Sequence, residues 1–78
     1  MLRNRVSKKS LINSMKCFAF QYALDRWEKT SKEVLKIFKK GKVFEYIKDN
    51  YEYLHINGYE FILDDIEEYL TVNKIKFS

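Results

Sequence analysis

Proline is absent from this sequence, and glycine occurs only at Gly41 and Gly58. Without these breakers long helices are favoured, and turn-rich β architectures lack the residues that tight turns need. Cys17 stands alone, which excludes an internal disulfide and a cysteine-rich metal site. His55 is the single histidine, and neither a glycine-rich phosphate loop nor a serine nucleophile motif accompanies it. No apolar run approaches the roughly 18 residues of a membrane span, and no signal-peptide pattern is visible. The expectation is a cytoplasmic protein without membrane contact.

What is present is a domain of 78 residues, 46% of them hydrophobic, enough for a real core in a chain this short. Residues 1 to 78 read as one domain, with a basic arm over 1 to 6, an ordered core over about 8 to 72 and a tail over 73 to 78. Charge is segregated. Residues 1 to 48 hold 13 Lys/Arg against four acids, whereas residues 49 to 78 hold Lys74 and Lys76 against seven acids. Such a dipolar chain attracts its own halves to each other, or a partner with opposite patches.

Periodicity predicts about four helices in a compact bundle, an all-α fold. The first starts at Ser7 or Ser10, either of which can cap it. It carries Leu11, Met15, Phe18 and Tyr22 on one face, and Cys17, Phe20, Leu24 and Trp27 on roughly the opposite one. A stripe that the other helices leave uncovered is an interface. "TSKE" over residues 30 to 33 matches a capping box and opens a second helix through Val34, Leu35 and Phe38. That helix is expected to stop where Gly41 turns left-handed. A third helix carries Val43, Phe44, Ile47 and Tyr51. Asn57-Gly58 breaks the chain, with Asn57 and Glu60 at capping-box spacing. The last helix, from about Tyr59 to Leu70, places Tyr59, Ile62, Leu63, Ile66, Tyr69 and Leu70 on one side. Its other side carries Glu60, Asp64, Glu67 and Glu68, with Phe61 among the acids and Asp65 at the edge of the apolar stripe. The tail reads as extended or disordered.

Candidate chemistry is sparse. His55 is a candidate general base or metal ligand, but a general base needs a partner within hydrogen-bond reach, and a structural role at a helix end, bonded to a carbonyl or to a carboxylate such as Asp65, fits better. Asp64, Asp65, Glu67 and Glu68 lie along a helix and point in different directions, unlike the irregular backbone of a calcium loop. No metal, cofactor or small-molecule substrate is expected. The lysines are a stronger feature: Lys32, Lys36 and Lys40 share one face of the second helix beside Lys39, and can neutralise phosphates. A helix-turn-helix would, however, send "VFEYIKDNYEY" into the groove, and its Glu45, Asp49 and Glu52 oppose phosphate. Six tyrosines, six phenylalanines and one tryptophan are many for this length, and Tyr46, Tyr53 and Phe61 do not fit the core stripes. Tyrosine and tryptophan supply large, rigid contact area at protein interfaces.

The pattern Tyr51-x-x-Leu54-His55-x-x-Gly58-x-Glu60-x-Ile62-x-Asp64-Asp65-Ile66 resembles the hallmark of a small bacterial domain family of unknown function, number thirty-seven ninety-one. "SKEVLKIFKK" and the Asn50-Tyr51 pair resemble its central region, and the likeness covers roughly residues 14 to 70. Departures are the Lys/Arg-rich start and Tyr53, where smaller residues are usual. The resemblance implies a Firmicute-type family often encoded beside ADP-ribosyltransferase-like proteins, hence a toxin and its small partner. The expected function is a non-enzymatic protein-binding module, antitoxin-like or accessory, whose partner is that neighbour or a second copy. Its candidate contacts are Phe20, Leu24, Trp27, Phe61, Asp64 and Glu68. Tyr51, Leu54, His55, Gly58 and Asp65 are assigned to the architecture of the last corner. The alternative is a nucleic-acid-binding regulator using Lys32, Lys36, Lys39 and Lys40.

Overall fold

The computed structural model describes residues 7–77, so the basic arm over 1 to 6 and the final Ser78 lie outside the described residues. Five α-helices follow one another: α1 Lys8–Trp27, α2 Ser31–Lys40, α3 Val43–Asp49, α4 Tyr51–Asn57 and α5 Ile62–Val72. A single 3-10 turn, Tyr59–Phe61, leads into α5, and no strand occurs among the described residues. The all-α class stands. The count is five rather than about four because the expected third helix divides at Asn50, whose backbone (φ −114°, ψ 21°) leaves the helical well. The Asn50 side-chain amide donates to the Tyr46 carbonyl at 2.9 Å, the local competition with the helix ladder that bends a chain at Asn.

Ser7 caps α1, its hydroxyl accepting from the Ser10 amide at 3.1 Å. Of the two expected stripes only Met15 lies at the centre of the buried face. That place belongs to Met15, Ala19 and Ala23, fully buried at spacings of four, and the small alanines let α2, α3 and α5 approach closely. The two apolar stripes are the shoulders of this seam. On one shoulder Phe20 and Trp27 meet the buried Phe38 edge-on, at 5.6 and 6.0 Å between ring centroids. On the other, Phe18 leans on Tyr59 at 4.8 Å while staying partly exposed with Leu11.

Thr30 and Glu33 form the expected capping box at the start of α2: the Thr30 amide donates to Glu33 Oε1 at 2.9 Å and the Glu33 amide to Thr30 Oγ1 at 3.2 Å. These bonds stabilise the ionised carboxylate and hold Glu33 below its ordinary pKa. Val34 and Phe38 are buried, and a side chain of that size contributes on the order of 2–3 kcal/mol by leaving water. The left-handed residue after α2 is Lys42 (φ 53°), whereas Gly41 is right-handed at φ −87°. Gly41 serves close approach instead: a Cβ there would stand 2.5 Å from Leu70 Cδ2 and 3.3 Å from Ile75 Cδ1.

Asn57 and Glu60 make no capping box. Asn57 ends α4, its amide donating back to the Tyr53 carbonyl at 3.0 Å, and Gly58 turns the corner at φ 95°. In α5, Ile62, Leu63, Ile66 and Leu70 are fully buried, the face read from the sequence. The tail is neither extended away nor loose over its described part. Lys74 turns left-handed (φ 60°), its amide donates to Thr71 O at 3.0 Å, and the Ile75 amide donates to Leu70 O at 2.9 Å. This Schellman closure returns Ile75 and Phe77 to the core, where Phe77 packs on Trp27 at 5.1 Å.

Candidate functional site

Helix α5 carries its acids on two flanks with different surroundings. On the α1 side, Arg26 Nη2 donates to Asp64 Oδ1 at 2.7 Å, and its Nε lies 3.5 Å from Glu67 Oε2. Trp27 Nε1 donates to the same Glu67 oxygen at 2.8 Å. The bond to Asp64 is the main reason that Arg26 titrates above its ordinary value. This flank is closed by the chain itself.

The other flank opens into a cleft of about 270 Å³, lined by Tyr46, Tyr53, Asp65, Glu68, Tyr69, Val72 and Asn73. Tyr46 stacks on Tyr69 at 4.2 Å between centroids and 24° between planes. Tyr69 is pinned from behind, its hydroxyl donating to Gly41 O at 2.6 Å. Tyr53 forms the outer wall on α4 and is 56% exposed, as Val72 on α5 is 71% exposed. Asp65 and Glu68, one helical turn apart, have no hydrogen bond or ion pair among the described residues. Burial, then the charges of Glu68 and Asp64, push the Asp65 carboxyl above its ordinary value. Burial first, and then Asp65, raise the Tyr46 phenol. The cleft therefore holds negative charge with no counter-charge among the described residues.

Of the expected contact residues, Phe20, Leu24 and Trp27 are half-buried against the domain's own core. That shoulder is covered by α2 and the returning tail, so it is not the free stripe expected. Phe61 is 49% exposed, Asp64 is engaged by Arg26, and only Glu68 reaches the cleft. At the corner, Tyr51 and Leu54 are buried, and Gly58 supplies the positive φ. The expected bond from His55 to Asp65 is missing: His55 is exposed and stacks on Tyr51 at 5.5 Å, and Asp65 faces the cleft. One residue was overlooked by pattern reading. Glu67 looked like another solvated acid, and its link to Trp27 joins residues 40 apart in sequence, beyond any local spacing rule.

Basic side chains gather elsewhere. Lys32, Lys36 and Lys39 surround Leu35 on the outer face of α2, with Lys40 also exposed. A second basic groove of about 490 Å³ lies between α1 and α3, lined by Lys8, Lys9, Ile12, Asn13, Lys16 and Lys48. Lys8 is bound there to Glu52 at 2.8 Å, and that bond raises its pKa. None of the described helices is long and apolar enough to cross a membrane.

The profile of the family described as "Protein of unknown function (DUF3791)" matches residues 14–73. The chain belongs to this family. The match spans all five helices apart from the start of α1, including both walls of the cleft. No curated protein and no solved structure matches the chain at a significant level.

Proposed function

We propose that this DUF3791 domain is a non-enzymatic protein-binding module, acting in the cytoplasm as the small partner of a neighbouring toxin-like protein. The observation that carries the reading is the open edge between α4 and α5. Tyr53 and Val72 stand exposed there beside a cleft whose carboxylates have no partner among the described residues. Ile56, one turn beyond Tyr53 on α4, is 80% exposed. Contiguous apolar exposure rimmed by polar groups is the composition of interaction sites, and tyrosine is a frequent anchor in them. The partner's suggested identity, an ADP-ribosyltransferase-like protein, comes from the genomic company that the bacterial family resemblance implies. The test is co-expression with the product of the adjacent gene. Copurification, and relief of any growth defect that the neighbour causes alone, are expected; failure of both removes the reading.

The alternative, a nucleic-acid-binding regulator, draws on the exposed lysines of α2 and the groove containing Lys9, Lys16 and Lys48. Its weakness lies in α3. A recognition helix of seven residues with Glu45 in its first turn brings little positive charge to a groove. This reading requires affinity that falls steeply with salt and with Lys32, Lys36 and Lys40 changed to glutamate. Unchanged binding in that triple variant eliminates it.

A further inference from the structure

The cleft between α3, α4 and α5 combines three features that converge on one ligand chemistry. Its walls are aromatic, since Tyr46, Tyr53 and Tyr69 come from three helices. Its floor is anionic, since Asp65 and Glu68 project from successive turns of α5. And among the described residues neither Asp65 nor Glu68 has a hydrogen bond or ion pair, whereas the nearby acids Asp64, Glu67 and Glu52 each have one.

We propose that this cleft receives an arginine side chain of the protein partner, with the guanidinium against the tyrosine rings and its edge toward Asp65 and Glu68. The proposal rests on the reading of the domain as a protein-binding module and specifies what the partner must offer. The reason for a cation is electrostatic: tyrosine faces attract positive charge, and two adjacent carboxylates left without a counter-charge repel each other. The reason for arginine is shape. A planar guanidinium lies flat on an aromatic ring while its fork donates to carboxylates, and residues at i and i+3 stand about 5–6 Å apart, within reach of one fork. A lysine ammonium is a compact, strongly hydrated point charge that gains less from both features. The cleft is also prepared to hold its shape. Tyr69 is fixed by Gly41 O and stacked on Tyr46, so two of the three walls are in place before the ligand arrives. Tyr53 is the exposed third wall.

The experiment is an NMR titration of the full chain with N-acetyl-arginine methylamide, run against the citrulline and lysine analogues. The arginine probe is expected to give saturable shifts at the rings of Tyr46, Tyr53 and Tyr69 and at the Asp65 carboxyl. Citrulline, the neutral isostere, should bind at least about tenfold more weakly, as expected when a charge-assisted pair is lost. Tyr53→Leu should weaken arginine about two- to fivefold, the scale of an exposed cation–π contact. The double variant Asp65→Asn, Glu68→Gln should abolish the shifts while leaving Trp27 fluorescence unchanged, because neither carboxylate bonds to another described residue. Equal binding of citrulline or lysine, shifts that survive the double variant, or no shift in the cleft each overturns the proposal. Dimerisation that the double variant removes would assign the cleft to a second copy, and overturns it too. The copurification experiment separates the two levels. A partner that binds the double variant undiminished sinks the cleft and leaves the module reading intact. Arginine binding without any copurifying partner does the reverse.

Discussion

Asp64 and Asp65 are adjacent in sequence and have opposite surroundings. Asp64 faces α1, where Arg26 binds it and Glu67 anchors Trp27, so the acids on that flank become part of the scaffold. Asp65 faces α3 and α4, where it meets tyrosine rings and Glu68 and gains no counter-charge among the described residues. One amphipathic helix thus has a finished edge and an unfinished one. The difference teaches that acidity alone does not mark a surface for binding. What matters is whether the fold itself supplies the opposite charge. The finished edge contributes to stability, and the unfinished edge is available to a partner.

The largest test of this contrast compares one aromatic from each edge. Trp27→Ala removes a ring packed on Phe38 and Phe77 and leaves Glu67 without its indole donor. A loss of roughly 3 kcal/mol is expected, the low end for tryptophan truncation because the ring is only half-buried. Tyr53→Ala, on the open edge, should stay within about 0.5 kcal/mol of the parent. Urea melts of both variants check the pair. Similar losses would mean that the two edges are equally structural, and the contrast would be gone.

A subtler comparison uses the two aspartates themselves. Asp64→Asn weakens a half-exposed ion pair, so a loss of about 0.5–1 kcal/mol is expected, shrinking as salt is added. Asp65→Asn should have the opposite sign and raise the melting temperature. Its carboxyl titrates above its ordinary value in the folded state, chiefly through burial and then through Glu68 and Asp64. The folded protein therefore binds that proton more tightly than the unfolded chain does. The cost of the ionised form is fully present above the raised folded pKa and disappears as pH falls below the unfolded one. The advantage of asparagine should accordingly be seen at neutral pH and fade in acid. Thermal melts across that range, with Glu68 and the phenols of Tyr46, Tyr53 and Tyr69 left in place around the site, decide it. A lower melting temperature for Asp65→Asn at neutral pH would show that the carboxylate has a structural partner after all.

Much of this architecture was legible in the residues. The capping box at Thr30, the cap at Ser7, the buried face of α5 and the exposure of Tyr53 and Phe61 all follow from local spacing. Several misreadings depended on a neighbour distant in sequence. Gly41 was assigned a left-handed turn because glycine usually takes that role, while the packing of Leu70 and Ile75 required a residue without a side chain. Lys42 and Lys74 take left-handed conformations that no pattern assigns to lysine. Ala19 and Ala23 were passed over because alanine is weakly apolar, yet small residues are what a close helix seam needs. The cleft was hidden for the same reason. Tyr46, Tyr53, Asp65 and Glu68 come together only once the chain bends at Asn50 and turns at Gly58.

The smallest expected effect bears on the corner that joins the two edges. The sequence assigns His55 to the architecture of this corner, and a buried, bonded histidine there would make His55→Ala costly. In the structure His55 is exposed, stacks on Tyr51 and has no side-chain hydrogen bond among the described residues. Its replacement by alanine should therefore move stability by no more than about 0.5 kcal/mol. Tyr51 is buried beneath it, so Tyr51→Ala should cost several times as much and serves as the internal reference. If urea melts instead show His55→Ala approaching the Tyr51 loss, the corner is held by an interaction of the imidazole, and α4 is tied down more firmly than the open edge requires. A small loss joined to a fall in partner affinity would extend that edge from Tyr53 and Ile56 to the next exposed residue of α4.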